Sequence, residues 1–141
     1  MKKYLLLLIS LFFLASCGPK LEKVIEDTHA DGSPRLVVYF KVVDGFKKKV
    51  KVAAFYEDGS KRYEGEFADD KREGYWIYWY ENGNKWSEGY FKNDLRNDFG
   101  TTWHKNGQKH FEGSYLEGIR VGTWKFWTEE GEFVKEVNYD E

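Results

Sequence analysis

The sequence predicts an all-β fold, an elongated antiparallel meander of β-hairpin repeats forming a single twisted sheet. Three observations predict it. Gly59, Gly83, Gly107 and Gly131 recur every 24 residues, and so do the aromatics Phe55, Trp79, Trp103 and Trp127. Each unit holds two short runs suited to strands, such as GYWIYWY (74–80) and KWSEGYF (85–91), rich in rings and bounded by turn residues. No window keeps a helical period. Rings make up 19% of a chain that has a single Met and two Pro, so the fold is built largely from aromatic side chains.

Residues 1–16, MKKYLLLLISLFFLAS, carry Lys2 and Lys3, then an apolar run from Tyr4 to Ala15, and close on small residues. The run spans 12 residues, short of the roughly 20 that a membrane-crossing helix needs. It reads as a signal peptide. Leu14-Ala15-Ser16-Cys17 resembles the bacterial lipobox, which implies lipidation of Cys17, cleavage before it, and a membrane anchor. Acyl chains contribute about 0.8 kcal/mol per buried CH2. Cys17 is the sole cysteine, so a disulfide within the chain is excluded. By the sorting rule of such lipoproteins, Gly18 favours the outer membrane. Loss of Lys2 and Lys3 takes the formal charge from -2 to -4, and an acidic domain stands off anionic lipid.

Residues 17–34 are polar and contain both prolines, as expected of the lipid anchor and its tether, with His29 solvated. Residues 35–54 form a degenerate capping hairpin, in which Asp44-Gly45 separates LVVYFKVV from FKKKVKVAAF. Lys47, Lys49 and Lys51 alternate there and are expected to share one sheet face. They either guard an edge strand or meet lipid headgroups.

Residues 55–141 are the repeats proper. Glu64, Glu88, Glu112 and Glu136 coincide, as do Gly65, Gly89 and Gly113, then Phe67, Phe91, Tyr115 and Tyr139. Arg72, Arg96 and Arg120 follow, then Gly74 and Gly122, then Trp76 and Trp124, with Asp98 and Gly100 departing in the middle copy. The triplets EDG, ENG and KNG supply turn glycines with positive φ. The six-residue stretches ADDKRE, KNDLRN and LEGIRV are expected as charged loops.

Equivalent residues should stand about 9.6 Å apart on one face. At that distance two carboxylates repel by about 0.4 kcal/mol in water, and the Arg column is expected to pair with the Glu column. Trp76 and Trp124 should lie over the glycines of neighbouring strands. Whether Trp76 and Trp79 share a face stays open, because a bulge would change the alternation.

The pattern W-x-x-N-G-x-K-x-x-E-G-x-[FY], a charged loop with Arg, then G-x-W, resembles MORN repeats, most closely the bacterial variant of YwqK-type antitoxin proteins. The resemblance implies hairpin arrays used for scaffolding, protein binding, membrane association or toxin neutralisation.

The chemistry-bearing residues are few. No G-x-S-x-G and no P-loop is present. His104 and His110 are six apart and lack ligand spacing, so neither a metal nor a cofactor is expected, and the chain reads as non-enzymatic. Charges of both signs alternate closely in a chain of formal charge -2, which argues against nucleic acid. The expected partner is a protein, with a toxin as one alternative and a glycan stacked on exposed Trp as another. Recognition should use positions that differ between copies, namely Trp86 against His110 and Tyr90 against Ser114.

Overall fold

A computed structural model describes residues 21–140. The signal peptide, Cys17 and the start of the tether lie outside the described residues. Ten strands follow in chain order: β1 (Glu22–Thr28), β2 (Pro34–Val43), β3 (Phe46–Phe55), β4 (Lys61–Ala68), β5 (Lys71–Trp79), β6 (Lys85–Lys92), β7 (Leu95–Trp103), β8 (Lys109–Leu116), β9 (Ile119–Trp127) and β10 (Phe133–Asn138). Each pairs antiparallel with the next in one open sheet, whose free edges are β1 and β10. Substantial contacts run only between consecutive strands, so among the described residues no second layer covers either face.

Two kinds of turn alternate. At one end of the strands a five-residue connection opens with Tyr56, Tyr80 or His104. The Gly59 N–H donates to the Tyr56 carbonyl at 3.0 Å and the Tyr56 N–H to the Ser60 carbonyl at 2.9 Å, and the pattern recurs at each later unit. Gly59, Gly83, Gly107 and Gly131 all have φ between 80° and 90°, the left-handed position that closes a type I turn with a following bulge.

The opposite strand ends correct the expected six-residue charged loops. Only two residues turn there, Asp69-Asp70, Asn93-Asp94 and Glu117-Gly118, all at positive φ. Two successive positive φ values give the turn whose twist matches that of the strands it joins. The flanking charges continue the ladder, with Lys71 opposite Ala68 and Arg72 opposite Phe67.

The stretch expected as tether contains β1, whose Val24 and Ile25 stand opposite Val38 and Val37. His29, expected to be solvated, places Nε2 3.1 Å from the Phe55 carbonyl. The three lysines of β3 do not share a face either. A bulge between Lys49 and Lys51 reverses the alternation. Lys49 therefore lies over the Phe67 ring, while Lys51 pairs with Glu64 on the other side.

Directly opposed residues share a face, so the register defines both sides. One row runs Val38, Val52, Gly65, Trp76, Gly89, Gly100, Gly113. The other runs Val37, Ala53, Glu64, Ile77, Glu88, Thr101, Glu112, Lys125, Glu136. Trp76 and Trp79 are separated by regular alternation and lie on opposite faces. The core is on the Trp76 face, where Val38, Val52, Trp76 and Phe91 are buried against Tyr63, Phe67 and Tyr78.

Candidate functional site

On the Trp76 face rings lie over glycines. A Cβ added to Gly65 would fall 2.1 Å from the Trp76 ring, and one added to Gly113 would fall 2.3 Å from Trp124. Each indole N–H donates to a backbone carbonyl, Trp76 to Glu66 at 3.0 Å and Trp124 to Ser114 at 3.1 Å. Phe67 and Phe91 meet Trp76 edge-on, and Tyr115 and Tyr139 meet Trp124 likewise.

The Arg column lies on this face, away from the Glu column, which corrects the expected Glu–Arg pairing. Arg72 sits 4.2 Å from the Phe91 centroid and Arg120 sits 4.5 Å from that of Trp124. Arg96 lies between the rings of Phe91 and Tyr115. Directly opposite Phe67, Phe91 and Tyr115, these guanidiniums stack on rings, and among the described residues Arg72 alone of the three also meets a carboxylate, that of Asp94 rather than of the Glu column.

On the Trp79 face the Glu column takes lysines of its own strand. Lys61, Lys85 and Lys109 reach Glu64, Glu88 and Glu112 at 3.0, 2.8 and 2.7 Å. The same ammonium groups lie 5.7, 5.5 and 5.5 Å from the Trp79, Trp103 and Trp127 centroids. A bulge at Arg62, Trp86 and His110 brings residues three apart onto one side. Burial opposes ionisation of Glu88, but its bonds from Lys85 and Tyr75 prevail and hold the carboxyl below its ordinary range. The Tyr75 hydroxyl donates to Glu88 at 2.6 Å, and burial and that carboxylate push its pKa up.

A ladder that sequence reasoning missed links successive turns. The Tyr56 hydroxyl donates to the Trp79 carbonyl at 2.8 Å and the Tyr80 hydroxyl to Trp103 at 2.9 Å, while His104 Nε2 stands 3.1 Å from the Trp127 carbonyl. Asn82 and Asn106 donate to the carbonyls of Lys105 and Glu129, one turn onward. The 24-residue column of Tyr56, Tyr80 and His104 was the available signal.

Of the candidate recognition residues, Trp86 and His110 come together and Tyr90 does not. Trp86 and His110 line a groove of ≈ 680 Å³ on the Trp76 face. Tyr90 faces the other way, beside Tyr75 with centroids 5.4 Å apart, and is 47% exposed. Phe99 is exposed on that same side. The His104 and His110 rings stand 4.2 Å apart, and burial, then the neighbouring imidazole, lowers the His110 pKa against the pull of Glu129.

The groove exists because the middle hairpin has lost three rings in register. Where β4 and β5 carry Tyr63, Trp76 and Tyr78, and β8 and β9 carry Phe111, Trp124 and Phe126, β6 and β7 carry Ser87, Gly100 and Thr102. Tyr78 and Phe111 line it on either side, and Arg96 crosses its floor. There Nη2 donates to the Ser87 hydroxyl at 3.1 Å, and Nη1 lies 3.4 Å from the Cβ positions of Gly89 and Gly100.

No curated protein matches the chain. Among solved structures it is similar to one titled "Crystal Structure of TarM", at 12% identity and a TM-score of 0.32, covering 82% of this chain and 19% of that one. It is similar also to one titled "Crystal structure of GtfA/B complex bound to UDP and GlcNAc", at 9% identity and a TM-score of 0.32, covering 86% and 24%. The family model described as "MORN repeat variant" matches residues 72–93, from Arg72 through Trp79, Gly83 and Glu88 to Asn93. Over that unit the chain is similar to the MORN-repeat family, and its open hairpin meander is the arrangement which that resemblance implied.

Proposed function

We propose that the chain is a non-catalytic, repeat-based protein-binding module, held by lipid at Cys17 on a bacterial envelope. The observation that carries the binding role is the exposure of Tyr75, Trp86 and Tyr90 inside the unit that matches the MORN repeat variant, on a sheet that has no covering layer among the described residues. Rings held rigid by a sheet and left open to water gain free energy when a partner covers them. The lipid anchor rests on Leu14-Ala15-Ser16-Cys17.

The test is affinity capture from envelope extracts with the full chain, compared with Trp86→Ala and Tyr90→Ala variants whose melting curves match the parent. Loss of the captured partner in either variant supports the reading. Capture that ignores both rings, or none at all, contradicts it. Membrane fractionation of Cys17→Ala tests the anchor separately, with release to the soluble fraction expected.

A further inference from the structure

We propose that the groove over β6 and β7 is a recognition pocket for a tryptophan side chain that a partner protein presents beside an acidic residue. The proposal rests on the protein-binding reading above and specifies its occupant.

The chain supplies its own template for that occupant. In the flanking units an indole lies against the glycine of the neighbouring strand and donates to a carbonyl, Trp76 to Glu66 and Trp124 to Ser114. The equivalent residues in the middle unit are Gly89 for the cradle, Tyr90 for the carbonyl and Gly100 for the missing ring. Both neighbours of the missing ring are shortened in step, to Ser87 and Thr102, so the opening is wider than one absent side chain. Rings of Tyr78, Phe91 and Phe111 remain to line it.

Charge gives the second half of the occupant. Arg72 is paired with Asp94, whose carboxylate lies 3.3 Å from its Nε. One unit on, the residue in the place of Asp94 is Gly118, and Arg96 has no carboxylate partner among the described residues. Arg96 instead spans the floor with one bond to Ser87. An entering indole displaces that guanidinium onto its own face, as Arg120 lies on Trp124. A carboxylate from the same partner then takes the position that Asp94 holds beside Arg72. A guanidinium that stacks on a ring and pairs with a carboxylate recognises both at once.

The test uses the 15N-labelled full chain and three blocked peptides, Trp-Glu, Trp-Gln and Leu-Glu, followed by amide shifts. Trp-Glu is expected to move the amides of Ser87, Gly89, Gly100 and Thr102, and each of the other two to bind about tenfold more weakly. Arg96→Gln should lose the preference of Trp-Glu over Trp-Gln. Gly100→Trp should fill the groove from within, raise the melting temperature and abolish peptide binding. Silent amides with Trp-Glu, or equal binding by Gly100→Trp, would overturn the proposal. So would a response to an N-acetylglucosamine oligosaccharide in place of the peptides. If the peptides fail while capture still depends on Tyr90, the pocket is refuted and the binding module stands.

Discussion

Single residues carry the sheet through contacts between ring and glycine. Gly65→Ala forces a Cβ into the Trp76 indole and should cost about 1–3 kcal/mol. Gly89→Ala, which has the Gly100 Cα 3.2 Å away and no ring over it, should cost clearly less. Urea denaturation of the pair measures the difference. Trp124 is fully buried, so Trp124→Ala should lower stability by about 3–5 kcal/mol, whereas half-buried Trp103 should lose less. Titration acts at this scale too. Glu64 and Glu88 have carboxyls below the ordinary 4.5 in the folded chain. Their contribution is therefore complete above that value and is lost as pH falls through the folded values. For His110 the folded pKa lies below the ordinary 6.5, so the unfolded chain takes up its proton first and stability falls as pH drops below about 6.5. Melts of His110→Gln between neutral and mildly acidic pH should show a shallower decline than those of the parent.

At the scale of strands and turns, much was legible because a 24-residue repeat turns alignment columns into ladders. The glycine and tryptophan columns, the hairpin order and the ring over Gly65 all followed from spacing. The charged stretches did not. The charge of ADDKRE points to a solvent-exposed loop, but charged residues also continue strands toward their exposed ends, and only two residues of the six turn. Asp69 and Asp70 have φ of 47° and 63°, so Asp70→Gly should gain roughly 0.5–1 kcal/mol, visible as a higher melting temperature. A bulge accounts for the misplaced lysines. One extra residue between Lys49 and Lys51 moves them to opposite faces, and no local sequence signal fixes where a strand gains that residue. Pairing of Arg with Glu fails for a different reason, since proximity in sequence does not give the face: Arg72 stands opposite Phe67, on the face away from Glu64. The Tyr56, Tyr80 and His104 ladder was visible only as a column. Tyr80→Phe removes its bond to the Trp103 carbonyl and should cost about 0.5–1.5 kcal/mol, with faster amide exchange in the turns it joins.

Across the whole molecule the repeat explains both the regular parts and the departure. In the hairpins β4–β5 and β8–β9 a ring of one strand covers the glycine of the other, and hairpins stacked in chain order leave two free edges. β1 belongs to that assembly although its sequence is polar, because Val24 and Ile25 meet buried Val38 and Val37. The middle hairpin keeps the backbone of its neighbours and discards their rings. Asp98, with φ of 61°, holds the left-handed position that Gly74 and Gly122 hold at 67° and 62°, so the fold continues unbroken through a unit that no longer fills itself. Proton NMR of the three equivalent glycines tests this account most directly. The Hα resonances of Gly65 and Gly113 should be displaced upfield by the indoles above them, while those of Gly89 stay near their ordinary position. Equal shifts at all three glycines, or upfield displacement at Gly89, would contradict it.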